Sequence, residues 1–110
     1  MDDILRKYLR RANHTTWEKV PADKQADSDD QVMVLNVNSG EYFSLNAVGA
    51  LIWELADGTR TVTEIGEAVS GEYESVDSQR VQKDTVRLAR ELVEQELAEL
   101  SAKPHPAQED

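Results

Sequence analysis

The 110-residue chain contains no cysteine, which excludes disulfides, thiol nucleophiles and Cys-ligated metal sites. It has two histidines, His14 and His105, and neither sits in a pattern that a general base requires. No apolar run is longer than four residues, as in Ala50 to Trp53. That is too short for a membrane span or a signal-peptide core. Positive charge is also scarce: 12 Lys and Arg stand against 22 Asp and Glu, a formal net charge of −10. Such a balance opposes non-specific nucleic-acid binding, which depends on neutralising phosphates. The five glycines are scattered, and no GxxxxGK[ST] loop is present to cradle a phosphate. Carboxylates are plentiful, yet no pair stands in an apolar setting that would tune it for acid–base work. These absences predict a soluble, cytoplasmic domain with no cofactor and no catalytic site. The length predicts one core.

The clearest local signal is VMVLNVNSGEYFSL. Val32 to Leu35 is apolar on both faces, whereas Glu41 to Leu45 alternates, and Asn36 to Gly40 tolerates positive φ. This predicts a hairpin. A strand apolar on both faces belongs in the middle of a sheet; an alternating one belongs at an edge. His14 to Val20, β-prone through Thr15, Thr16 and Trp17, supplies a third strand. Its Lys19 and Pro21 discourage further pairing, but Glu41 to Leu45 has no such guard and is a template for an incoming strand. Pro21 to Gln31 is polar and reads as a solvated loop.

Three helices follow. Asn46 caps Ala47 to Ala56, which Asp57-Gly58 ends. Gly49 within it costs about 1 kcal/mol relative to Ala and implies close backbone packing against the hairpin. Trp53 is expected in the core. Thr61 and Glu64 form a capping box for a helix to about Gly71 or Tyr73. Asp77 or Ser78 caps the longest helix, expected to reach about Leu100 with Val81, Thr85, Leu88, Ala89 and Leu92 inward. Met1 to Ala12, with Ile4, Leu5, Tyr8 and Leu9 at helical spacing, reads as a short amphipathic helix. The predicted division is an N-terminal extension at 1–14, a domain at 15–100 and a disordered tail at 101–110.

Arg80, Lys83, Arg87 and Arg90 fall within about 80° of one another on the long helix. A solvated face with i,i+4 pairs would explain them, and so would a surface for an acidic partner. Each available pair has the cation N-terminal, the poorer orientation. Beyond the capping turn the cations precede Glu91, Glu94, Glu96 and Glu99, which opposes the helix macrodipole.

The ordered series Leu35-Asn36, Ser39-Gly40-Glu41-Tyr42-Phe43-Ser44-Leu45-Asn46, Gly49, Ile52-Trp53-Glu54-Leu55, Asp57-Gly58 and Thr61-Val62-Thr63-Glu64-Ile65 resembles the PqqD family over residues 15 to 100. Tyr73, Val81, Asp84, Leu88 and Leu92 continue the likeness. The resemblance implies an α+β, winged-helix-like fold: a three-stranded antiparallel sheet followed by three helices. It also implies a non-catalytic RiPP recognition element that binds the leader of a ribosomal precursor peptide and presents it to a modifying enzyme, often a radical SAM protein. The leader would join the sheet as an extra strand along Glu41, Tyr42, Phe43, Ser44 and Leu45. Arg80, Val81, Lys83, Asp84, Arg87 and Leu88 would wall the groove, with the cations pairing leader carboxylates. Two other readings are a winged-helix DNA-binding regulator, for which the charge is unfavourable, and a scaffold subunit that binds only an enzyme.

Overall fold

The computed structural model describes residues 3–20, 31–72 and 77–104, and within them the hairpin forms where the sequence predicts it. Strands β2 (Thr15–Lys19), β3 (Val32–Asn36) and β4 (Tyr42–Leu45) make one antiparallel sheet in the order β2-β3-β4. β3 is its centre, pairing Trp17 with Val34 on one side and Phe43 with Val34 on the other. The hairpin turn is held by Asn36, whose side-chain oxygen accepts from the N–H groups of Asn38 and Ser39. Gly40 at φ 79° completes it, in the left-handed region that favours glycine.

A second antiparallel sheet was not foreseen. The expected amphipathic helix over Met1 to Ala12 is absent: Asp3–Arg6 makes a single 3-10 turn and Tyr8–Arg11 is strand β1. β1 lies between β5 (Asp57–Thr61) and β6 (Ala98–Ser101). Twelve residues are too few to sustain an isolated helix, and here their backbone groups pair on both sides. The residues placed in an N-terminal extension are therefore the middle of a sheet. Ile4 and Leu9, which suggested the helix, are buried by the turn and the strand instead.

The three helices are α1 (Ala47–Leu55), α2 (Val62–Glu72) and α3 (Ser78–Glu94). Asn46 caps α1 by accepting from the Gly49 N–H at 2.9 Å, and Asp77 caps α3. Thr61 and Glu64 exchange two hydrogen bonds, 2.9 and 3.1 Å, as the capping box requires. α3 stops at Glu94 rather than at Leu100: Glu96 takes φ 63° and the chain turns into β6. Leu97 and Leu100 continue the helical spacing in sequence, but Ala98 and Leu100 alternate on a strand that pairs with β1. The core gathers Trp53, Ile52, Leu9, Ile65, Val69 and Leu97, each at most 1% exposed. The α+β class and the three helices stand as expected. The loop predicted at Pro21 to Gln31 lies outside the described residues except for Gln31, as do Tyr73, His105 and most of the tail. No helix among the described residues is long and apolar enough to cross a membrane.

Arg11 joins the two sheets. Its guanidinium donates to the Trp53 and Glu54 carbonyls, 2.6 and 2.9 Å, at the C-terminal end of α1. It also lies over the rings of Trp17 and Trp53, 5.7 and 6.0 Å from their centroids. Burial lowers the Arg11 pKa, opposed by the Asp57 and Glu54 carboxylates. Burial acts to raise the pKa of Asp57, but hydrogen bonds from the Thr59 hydroxyl and N–H outweigh it. With Arg60 and Arg11 nearby, the Asp57 carboxyl ends below its usual range.

Candidate functional site

β4 is an edge strand: it pairs with β3, and no other strand among the described residues pairs with its outer margin. The carbonyls of Glu41 and Leu45 accept from the Asn36 and Gln31 N–H groups. Odd-numbered residues of this strand thus turn their peptide groups toward β3. Backbone alternation then points the N–H and C=O of Tyr42 and Ser44 outward. The side chains follow the other alternation, Phe43 and Leu45 inward, Tyr42 and Ser44 toward solvent.

Beside this margin lies a groove of about 670 Å³ between β4, α1 and α3. β4 supplies Phe43, Ser44 and Leu45; α1 and its cap supply Asn46, Val48, Gly49 and Ile52. α3 supplies Leu88 and Leu92 together with Asp84, Arg87, Glu91 and Glu94. Glycine at position 49 is what lets these walls meet. A Cβ there would lie 3.3 Å from Leu45 Cβ and 3.4 Å from Leu88 Cδ2, tight contacts that would push α1 away from β4 and α3. The result is a trough with an apolar floor, a charged rim on α3, and unpaired backbone groups along one lip. Such a shape suits an extended peptide: the lip can hydrogen-bond its backbone while the trough takes alternate side chains.

The residues expected from the sequence divide into three groups. Phe43, Ser44, Leu45, Asp84, Arg87 and Leu88 come together at the groove. Glu41 precedes β4 and Tyr42 opens it, both exposed, with Tyr42 offering backbone rather than side chain to the margin. Arg80, Val81 and Lys83 do not line the groove. Val81 is in the core at 4% exposure, and Lys83 borders a separate cleft between α2 and α3. The cationic stripe therefore does not run along the groove: Lys83 turns to the α2–α3 cleft, and Arg80, on the same face as Asp84 and Arg87, lies one turn before the groove begins. Arg87 faces the groove but is 3.4 Å from Asp84.

The α1 residues and the last turns of α3 were missed. Their signal was present: Val48 and Ile52, and Leu88 and Leu92, repeat at i,i+4 beside Gly49. Extending the face of Asp84, Arg87 and Leu88 by one more turn reaches Glu91 and Leu92.

Comparison with known proteins agrees with this geometry. No curated protein sequence matches the chain. Among solved structures, TbiB1 in complex with the TbiA(beta) leader peptide is similar at 32% identity and a TM-score of 0.66. That match covers 82% of this chain and 94% of TbiB1. Lasso peptide synthetase B1 complexed with the leader peptide is similar at 26% identity and a TM-score of 0.64, covering 83% of this chain and 96% of that one. The family model for coenzyme PQQ synthesis protein D matches residues 31–98. That span runs from the start of β3 into β6 and includes every groove-lining residue, so with its edge strand, its glycine-tightened trough and its three helices the chain belongs to the PqqD family.

Proposed function

We propose that this protein is a non-catalytic peptide chaperone that binds the leader segment of a ribosomally synthesised precursor and presents it to a modifying enzyme. The observation that carries the reading is the outward-facing backbone of Tyr42 and Ser44 beside an apolar groove. Both structural relatives were solved with leader peptides, which supports the same kind of guest here. The leader adds to β4 as a fourth strand, and its alternate side chains enter the trough against Phe43, Leu45 and Leu88. Asp84 and Arg87 form the rim and the backbone of Tyr42 continues the lip, whereas Glu41, bonded through its carbonyl to Asn36, flanks the lip without adding a free backbone group. Arg80, Val81 and Lys83 have no contact inside the groove in this reading.

Magnitudes divide the labour. Each backbone hydrogen bond contributes about 0.5–1.5 kcal/mol net, whereas a fully buried Leu or Val side chain contributes about 1.5–3 kcal/mol. The trough therefore sets affinity and the strand edge sets register. Family resemblance implies a radical SAM protein as one class of modifying enzyme, and the reading places the complex in the cytoplasm, where a ribosomal product first becomes available.

The test is titration of the full chain with leader segments of short precursor reading frames neighbouring its gene, followed by fluorescence anisotropy. Saturable one-to-one binding is expected. Failure to bind any such leader, together with duplex DNA binding that falls steeply with salt, would overturn the reading.

A further inference from the structure

The peptide that enters this groove has a chemistry of its own, and we infer that it carries a Lys or Arg facing Glu91 and Glu94, at the hairpin-turn end of the trough. The inference rests on the peptide-binding reading above and adds the charge and position of one guest residue. It reverses the expectation drawn from the cationic stripe, which called for an acidic guest.

Four charged residues line the groove: Asp84, Arg87, Glu91 and Glu94. The first two meet each other at 3.4 Å, three residues apart on the same helix. Neither Glu91 nor Glu94 has an ion-pair partner for its carboxylate among the described residues. Both also stand in the last turns of α3, where the macrodipole disfavours negative charge. The helix thus holds two uncompensated carboxylates on the rim, at the end where they serve its own stability least.

Direction along the groove follows from two contacts. Leu88 Cδ2 is 3.4 Å from where a Cβ on Gly49 would lie, one turn beyond the end of β4. Gln95, by contrast, offers its carbonyl to Asn36 Nδ2 at 3.5 Å, and Asn36 N–H bonds Glu41, at the start of β4. β4 and α3 therefore run in opposite senses. A guest antiparallel to β4, the commoner pairing, passes Leu88 first and Glu91 and Glu94 afterwards. On α3, Leu88 lies about 4.5 Å along the axis from Glu91 and about 9 Å from Glu94. Inward side chains of a strand recur every ~6.8 Å. A guest residue two places after the one seated against Leu88 therefore falls between the two carboxylates. The motif is an apolar residue, any residue, then Lys or Arg.

The experiment selects peptides from a displayed library of random 12-residue sequences on the full-length protein, and separately on the double variant Glu91→Lys, Glu94→Lys. Wild type should enrich peptides with Lys or Arg two places after an apolar anchor, and the variant should enrich Asp or Glu there. A basic peptide chosen on wild type should lose about three- to tenfold in affinity on the variant, the scale of two exposed ion pairs. The difference should shrink at high salt. Binding of the acidic peptides to the variant shows that it is folded. Enrichment without charge preference at that position, or equal affinity of both proteins for the basic peptide, overturns the inference and leaves the peptide-binding reading standing. If neither protein enriches any peptide, the peptide-binding reading itself falls and the inference with it.

Discussion

The two sheets of this protein have the same number of strands and the same antiparallel pairing, yet they offer very different margins. Beside β4 lies a trough walled by Phe43, Leu45, Ile52 and Leu88. The second sheet carries instead a cleft of about 240 Å³ across its face, over β5, β1 and β6, lined mainly by Tyr8, Arg10, Gly58 and Glu99, with Arg10 and Glu99 paired to each other. The register of β1 on β5 also shifts between Tyr8 and Arg10, which disturbs the regular ladder that strand addition would extend. An open edge by itself is thus not a site. What makes β4 one is the apolar wall within reach of the same guest, because the wall supplies most of the affinity.

The largest expected effect separates the sheets by stability. Arg11→Ala removes two charge-assisted hydrogen bonds to the end of α1 and two ring contacts, and should cost about 3 kcal/mol in urea unfolding. The folded fraction should bind leader as wild type does, because Arg11 lies outside the groove. Leu88→Ala should shift the balance: about tenfold weaker leader binding by anisotropy, with a smaller loss of stability than Arg11→Ala because Leu88 packs on the core from a partly exposed position. Ser44→Pro is more selective still. It deletes an N–H that points away from β3, so circular dichroism should be unchanged while binding weakens several-fold, by about one lost hydrogen bond. The smallest effect belongs to the second sheet. Asp57 has a lowered pKa, so its contribution to stability is complete above its unfolded pKa and fades as pH falls below about 4. Asp57→Asn should therefore flatten the acid limb of the stability–pH profile and leave leader binding at neutral pH untouched.

The same comparison explains how much could be read from the sequence. The β2-β3-β4 sheet was legible because its signals are local: a turn of Asn and Gly, an alternating strand, and a central strand apolar on both faces. The edge followed from them, whereas Asp84, Arg87 and Leu88 entered as a groove wall only through the family resemblance. The second sheet was not legible, because β5 is the segment Asp57-Gly58-Thr59-Arg60-Thr61, which has no apolar residue to mark a face. Its pairing with β1 depends on backbone groups brought together from the N-terminal stretch and the middle of the chain. β6 was hidden for a different reason: Leu97 and Leu100 satisfy the helical period that precedes them, and only the left-handed Glu96 separates helix from strand. The cationic stripe placed Arg80 and Lys83 at the groove because a wheel gives angles between residues but neither the direction in which the groove lies, which excludes Lys83, nor where along the helix it begins, which excludes Arg80.

Amide hydrogen exchange along β4, followed by NMR with and without a bound leader peptide, tests the central claim most directly. Phe43, already turned toward β3, should exchange slowly in both states, whereas Tyr42 and Ser44 should exchange quickly alone and become strongly protected in the complex. Unchanged exchange at Tyr42 and Ser44 in a saturated complex would contradict the account, since the leader would then be held somewhere other than the edge of β4.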